Sequence, residues 1–261
     1  MKINFCNPEK SDINSLKELW LLSFDEDKKA CDLFFEKCFS TNNTYVAKYN
    51  DKIISALYLI KSNFSGHKAH YLCGAATHKD FRKQGIMGSL IEFALNCAEK
   101  KGDEYSFLFP ANDNLYNYYK KFGYKENCSA FISEFMRDDL ISLEELKFNN
   151  NNNNILIQNN DFKKFSAEYY SIYNIKSVGS NNYFALFEEN GNTAEVFYFD
   201  FKENNFKNMV NDILQNTKAE HFIFTHNRLF NNAQKIRYGM VKPLKSGQAV
   251  PTDIYIGITL N

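Results

Sequence analysis

The chain has 261 residues, 44% of them apolar, enough to bury a sizeable core in one large globular domain or two smaller ones. Lysine plus arginine equals aspartate plus glutamate at 31 each, so no net field draws the chain to nucleic acid or to an anionic membrane, and any cationic site must be local. The N-terminus carries no apolar run of the signal-peptide kind, and the longest apolar stretch, Ile53 to Ile60, is far too short to span a bilayer, so a cytoplasmic protein is expected.

In chain order, Ile3 to Phe5 reads as a short strand. Ser11 or Asp12 can cap a helix whose Ile13, Leu16, Leu19, Trp20 and Leu22 recur at helical spacing, and a second helical stretch covers about Asp27 to Phe39. Tyr45, Ala47 and Tyr49, a turn at Asn50 and Asp51, then Ile54, Ala56, Tyr58 and Ile60 alternate with period two, the mark of a hairpin. A strand follows at His70 to Thr77. The next helix, Ile86 to Lys101, places Met87, Leu90, Ile91, Ala94 and Ala98 on one face and ends at Gly102. A strand at Tyr105 to Phe109, a helix at Asn114 to Lys121 and a strand at Ser129 to Met136 complete a mixed α/β order with a strand, helix, strand crossover.

Asn149 to Asn154 are six consecutive asparagines, whose side chains compete for their own backbone. A linker over 148–154 is expected, dividing an N-terminal domain, 1–147, from a C-terminal one, 155–261. The second part reads as a helix at Asp161 to Tyr173, a hairpin of Tyr183 to Glu188 with Ala194 to Phe201, and a helix at Phe206 to Leu214. Strands are expected at Glu220 to Thr225, Lys235 to Met240 and Asp253 to Thr259. The six cysteines show no CxxC pair and no metal-type spacing with the five histidines, which points to reduced thiols and no metal. Cys73 lies on the strand before the central helix, and burial is the expected reading.

Residues 82 to 88, RKQGIMG, join that strand to that helix. The first amides of a helix have no internal partner, the helix dipole favours negative charge there, and glycine lets an anion approach the backbone. Arg82, Lys83 and the amides from Gln84 to Gly88 suit a pyrophosphate. GxxxxGK(S/T) and GxGxxG are both absent, so neither a nucleoside triphosphate nor a dinucleotide is indicated.

Here the sequence resembles the GNAT superfamily of N-acetyltransferases, over roughly residues 1 to 136. Arg82 and Gly85 match the family signature R/Q-x-x-G-x-G/A, with Met87 where Gly or Ala is usual and Gly88 one place later. A second segment, FLFPANDNLYNYYKKFGY at 107–124, is similar to the later family motif. Asn112, Tyr119 and Gly123 match it, and Tyr124 stands for the usual Phe.

The resemblance implies a mixed twisted sheet flanked by helices and acetyl-CoA as cosubstrate. Its pyrophosphate would lie on Arg82, Lys83, Gln84, Gly85, Ile86, Met87 and Gly88, its pantetheine arm along Ala75, Ala76 and Thr77, and Asn112 would also meet it. Tyr119 would be the general acid, with Tyr116 and Tyr118 as near rivals. Tyr71 aligns with a catalytic Glu of some members and His70 is its neighbour, a water relay being the other route for the amine proton. Asp25, Glu26 and Asp27 lie where the fold builds its acceptor pocket, for a cationic amine on a small molecule or peptide. A solvated acidic loop is the plainer reading of those three.

The second half repeats the coarse plan, but its matching join reads FKENNFKN, without glycine or the signature. A degenerate GNAT-like lobe that does not bind CoA is expected, in a tandem resembling the enhanced-intracellular-survival acetyltransferases. The other functional reading is an acyl-CoA sensor that transfers nothing. A homo-oligomer is left open.

Overall fold

The computed structural model describes residues 2–142, 155–158, 160–202, 204–227, 230 and 233–260; the linker expected at 148–154 and the boundary at 147 lie outside the described residues. The N-terminal part runs β1 (Asn4–Cys6), α1 (Ile13–Ser23), α2 (Lys28–Lys37), β2 (Thr44–Tyr49), β3 (Lys52–Phe64), β4 (His67–Thr77), α3 (Ile86–Lys100), β5 (Tyr105–Leu108), α4 (Asp113–Lys120), β6 (Ser129–Met136) and α5 (Arg137–Ile141). The C-terminal part runs β7 (Ile155–Gln158), α6 (Asn160–Ser171), β8 (Lys176–Gly179), β9 (Tyr183–Asn190), β10 (Thr193–Phe201), α7 (Phe206–Gln215), β11 (His221–His226), β12 (Gln234–Arg237), β13 (Met240–Pro243) and β14 (Tyr255–Ile256).

Two mixed sheets result, and each draws strands from both sides of residues 148–154. The first has the order β1-β2-β3-β4-β5-β13, with β7 paired to the far end of β3 and β14 to β7. The second has the order β12-β6-β11-β10-β9-β8. The strand β6 has left its own half to pair with β11, and β13 returns from the other half to occupy the edge of β5.

This exchange corrects one expectation. The segment expected as a single strand from Lys235 to Met240 is two strands in two sheets, β12 against β6 and β13 against β5. Gly239 makes the change of direction, at φ +104°, where a Cβ would lie 2.4 Å from Ile256 Cδ1 and 2.8 Å from the Leu108 carbonyl oxygen. The strand expected from Asp253 to Thr259 shrinks to β14, and β7, β8 and α5 have no counterpart in the sequence reading.

Helices cover both faces of the first sheet, which is why β3 and β4 are nearly continuous apolar runs. On one face α3 packs Leu90, Ile91, Ala94, Leu95 and Ala98 against Tyr45, Leu57, Leu59 and Leu72; Met87, expected among these, is only partly buried. On the other face α1 and α2 bring Trp20 and Phe34 into a stack at 4.5 Å, and Phe165 from α6 meets Phe34 at 6.2 Å, so the second half helps to roof the first. Leu22 does not join the α1 stripe; it is 67% exposed. Asp12 spends its carboxylate on the Glu9 amide and leaves α1 without a side-chain cap.

Pairing of β4 with β5 stops at Tyr71 opposite Phe107, although β4 runs on to Thr77, so the two strands part. At the same level β4 carries a bulge: Ala56 faces Ala76 and Tyr58 faces Cys73, leaving Gly74 and Ala75 opposite Leu57 alone. Gly74 has φ +58°, and a Cβ there would sit 2.4 Å from the Trp20 ring. Only glycine fits, because the indole closes that side of the strand.

Candidate active site

The end of β4, the loop after it, the start of α3 and one side of α4 enclose a cleft of about 470 Å³. Ala75 and Thr77 line it from β4, Arg82, Lys83, Gly85, Ile86 and Met87 from the loop and α3, and Leu115, Tyr118 and Tyr119 from α4. The loop enters α3 through two left-handed residues, Lys83 at φ +61° and Gly85 at φ +78°. Gly85 is the N-cap, no side chain caps the helix, and a Cβ at Gly85 would meet nothing within 4 Å. The first amides of α3 are therefore free for an anion beside two exposed cations. Arg82 Nε donates to the Thr77 carbonyl at 2.9 Å, which ties the guanidinium to the end of β4.

Other residues expected on the cofactor are engaged differently. Gly88 is a packing residue: its Cβ would come within 3.1 Å of Phe122, so it lets α3 approach the end of α4. The Ala76 carbonyl accepts from Ser55 Oγ at 2.9 Å, and Gln84 Nε2 donates to the Asp80 carbonyl at 3.2 Å. Asn112 is the N-cap of α4, its Oδ1 accepting from the Leu115 amide at 3.2 Å.

Tyr119 is buried at 8% exposure and still lines the cleft. Burial pushes its phenol well above the ordinary range, so it stays protonated. Of its rivals, Tyr116 is engaged elsewhere: its hydroxyl accepts from the Gly239 amide at 3.2 Å and Arg237 lies 3.7 Å over its ring. Tyr118 shares the cleft with Tyr119 and is less buried.

A second pocket, also about 470 Å³, opens on the other side of β4. Trp20, Ser23, Phe24, Asp25 and Glu26 line it from α1 and the loop after it, Cys73 and Gly74 from β4, and Tyr169, Tyr170 and Tyr173 from α6 and the turn beyond. Glu26 accepts hydrogen bonds from Trp20 Nε1 and from the Tyr169 hydroxyl. Ser23 Oγ is buried with no partner among the described residues. Asp25 is exposed at the rim, whereas Asp27 caps α2 through the Lys29 amide at 2.7 Å and does not line the pocket. Burial raises the Cys73 thiol well above its ordinary range, so it is a wall residue and not a thiolate. The sequence reading missed the three tyrosines. Their i, i+1, i+4 spacing is the one available signal, and it says only that they share a helix face.

Neither base candidate reaches either cleft. His70 is buried near the start of β4, its Nδ1 2.7 Å from Asp103 Oδ2, and it lines a separate cavity. Tyr71 is 1% exposed in the core facing α1 and α2, and burial raises its phenol well above the ordinary range, which bars the phenolate a base would need.

Residues 5–126 match the family model of the acetyltransferase (GNAT) domain. Over these residues, a little under half of the chain, the sequence is that of a GNAT acetyltransferase domain. The fold is similar to a probable N-acyltransferase from Enterococcus faecalis, with 12% identity, 94% of this chain and 73% of that chain covered, and a TM-score of 0.70. It is similar to a GCN5-related N-acetyltransferase from Anabaena variabilis, with 12% identity, 94% and 73% coverage and a TM-score of 0.68. Eis1 from Mycobacterium abscessus aligns with 9% identity, 94% and 74% coverage and a TM-score of 0.67. At these identities the likeness is one of fold, and it spans both sheets. No curated protein sequence matches.

Proposed function

We propose that the protein moves an acetyl group from acetyl-CoA to a primary amine of a small molecule or peptide, with the donor in the cleft beside Arg82 and the acceptor in the pocket beside Glu26. One observation carries this reading: three consecutive residues, Cys73, Gly74 and Ala75, form the wall of both, the first two facing the acceptor side and the third the donor side. Two substrates held there meet where β4 and β5 part.

Arg82, Lys83 and the first amides of α3 take the pyrophosphate, and the backbone at Ala75 and Thr77 lies along the pantetheine arm. On the far side Asp25 and Glu26 attract a cationic amine between Trp20 and the tyrosines of α6. The amine loses its proton to water, attacks the thioester carbonyl, and the carbon–sulfur bond breaks with its electron pair going to sulfur. Tyr119 supplies the proton to the departing thiolate, whose conjugate acid has a pKa comparable to a cysteine's.

Among the described residues lining the two clefts there is no imidazole, which leaves room for a second reading, an acyl-CoA sensor that does not turn over. Incubation of acetyl-CoA with a panel of primary amines, scored by release of free CoA and paired with calorimetric CoA binding, separates the two. Amine-dependent release is expected. Tight binding with no release for any amine would leave the sensor, and no CoA binding would end both readings.

A further inference from the structure

A third cavity, about 400 Å³, lies on the α3 side of the first sheet, near the start of β4 and beyond the C-terminal end of α3. Leu59, Ala69 and Ala98 give it an apolar floor, and its polar walls include three lysines. His70 lines it at 1% exposure. The Asp103 carboxylate can only accept, so Nδ1 carries the proton between them at 2.7 Å. His70 Nε2 is buried and has no hydrogen-bond partner among the described residues. A buried polar atom left unpaired has lost its water without compensation, so such an atom lining a cavity calls for a ligand.

The charges around it say which kind. Lys61, Lys68 and Lys101 line the same cavity, and the one carboxylate among its lining residues, Asp103, is already engaged by His70. Lys101 is held by the Asn42 carbonyl and the Tyr45 hydroxyl, with its ammonium 5.3 Å over the Tyr45 ring. Lys61 and Lys68 make no ion pair or side-chain hydrogen bond among the described residues. In a chain with no net charge this is a local cationic excess around the His70 ring.

We infer that this cavity binds a small carboxylate or phosphate anion against His70 Nε2, with a proton shared between that nitrogen and an oxygen of the anion, while Lys61 and Lys68 neutralise it. Asp103 fixes the ring from behind through Nδ1–H. His70 and Ala75 are five residues apart on one strand, roughly 16 Å, so this anion and a ligand in the cleft beside Arg82 bind without overlap.

The test is an imidazole 1H–15N titration of the full chain with inorganic phosphate and, separately, with acetate and succinate. The His70 signal is identified by its loss in His70→Gln. A saturable shift of that signal with at least one of the anions is expected, and which one responds tells phosphate from carboxylate. Replacing the exposed pair, Lys61→Ala with Lys68→Ala, should weaken that binding tenfold or more and leave acetyl-CoA binding as it was. The inference is overturned if no anion shifts His70 saturably, if the double variant binds as tightly as the parent, or if acetyl-CoA displaces the anion, which would place it in the other cleft.

Discussion

The joins β4–α3 and β10–α7 are the same structural device in two states. Each opens a parallel crossover, with Ala69 opposite Tyr105 in one sheet and Thr193 opposite His221 in the other. Each first strand outlasts its parallel partner and carries a bulge, at Gly74 and Ala75 in β4 and at Phe197 in β10. The first join then supplies a left-handed glycine, uncapped amides and two cations around an open cleft. Around the second, Phe206 at the head of α7 meets Phe201 at 5.3 Å, Phe199 at 6.0 Å and Phe230 at 5.8 Å. Asn205 precedes α7 in place of Gly85, and its Nδ2 bonds the Lys202 carbonyl at 2.7 Å. Splay and bulge alone therefore do not leave an open cleft; the space between the strands must also be unfilled.

The sharpest break of this comparison is chemical. Tyr119 stands on α4, the helix after β5, and the chain passes from β11 to β12 with no helix among the described residues. Tyr119→Phe keeps the ring and removes only the proton donor. Turnover should fall roughly 100-fold, the usual size of acid catalysis, while CoA affinity stays near the parent's. Parental turnover would move the role to Tyr118 or to water.

Next comes the charge. Replacing Arg82 and Lys83 together by Ala should weaken CoA about tenfold or more, since charge-assisted hydrogen bonds contribute about 1.5–3 kcal/mol each. Truncated pantetheine ligands lacking the pyrophosphate should be little affected. The same change at Lys202 and Lys207 should do nothing to either. Amide exchange sharpens the contrast: CoA should slow Gln84 to Gly88 and leave Asn204 to Lys207 unchanged. Equal protection at both joins would mean the second lobe also binds the cofactor.

The parts of this molecule legible in the sequence are those fixed by local chemistry. RKQGIMG marked a strand-to-helix join with a left-handed glycine at its helix cap, and the α3 stripe followed from periodicity alone. The exchange of β6 and β13 between sheets was not legible, because strand pairing depends on distant partners and a run such as KIRYGM says nothing about which edge it meets. His70 and Tyr71 were placed by alignment on Arg82, which counts residues but not depth; the pleat sends Tyr71 into the core and His70 into another cavity. Tyr169, Tyr170 and Tyr173 were invisible as site residues because only the docking of α6 on α1 and α2 brings them to Glu26.

The smallest expected effect concerns two asparagines. Asn112 and Asn205 both stand at the N-cap of the helix that follows a strand, yet only Asn112 caps: its Oδ1 accepts from the Leu115 amide, while Asn205 Oδ1 accepts from the Asn208 side chain at 3.3 Å. An N-cap side chain satisfies a helix amide that otherwise has no partner, and its loss costs about 1 kcal/mol. Asn112→Ala should therefore lower unfolding free energy by about that amount, Asn112→Asp should restore it because aspartate caps equally well, and Asn205→Ala should be near neutral. CoA affinity should hold in all three, since the Asn112 oxygen already serves the helix. Denaturant unfolding and calorimetry on the three variants check this. If Asn112→Ala kept parental stability and lost CoA affinity, the side chain would belong to the cofactor, and the head of α4 would join the loop after β4 as part of the donor site.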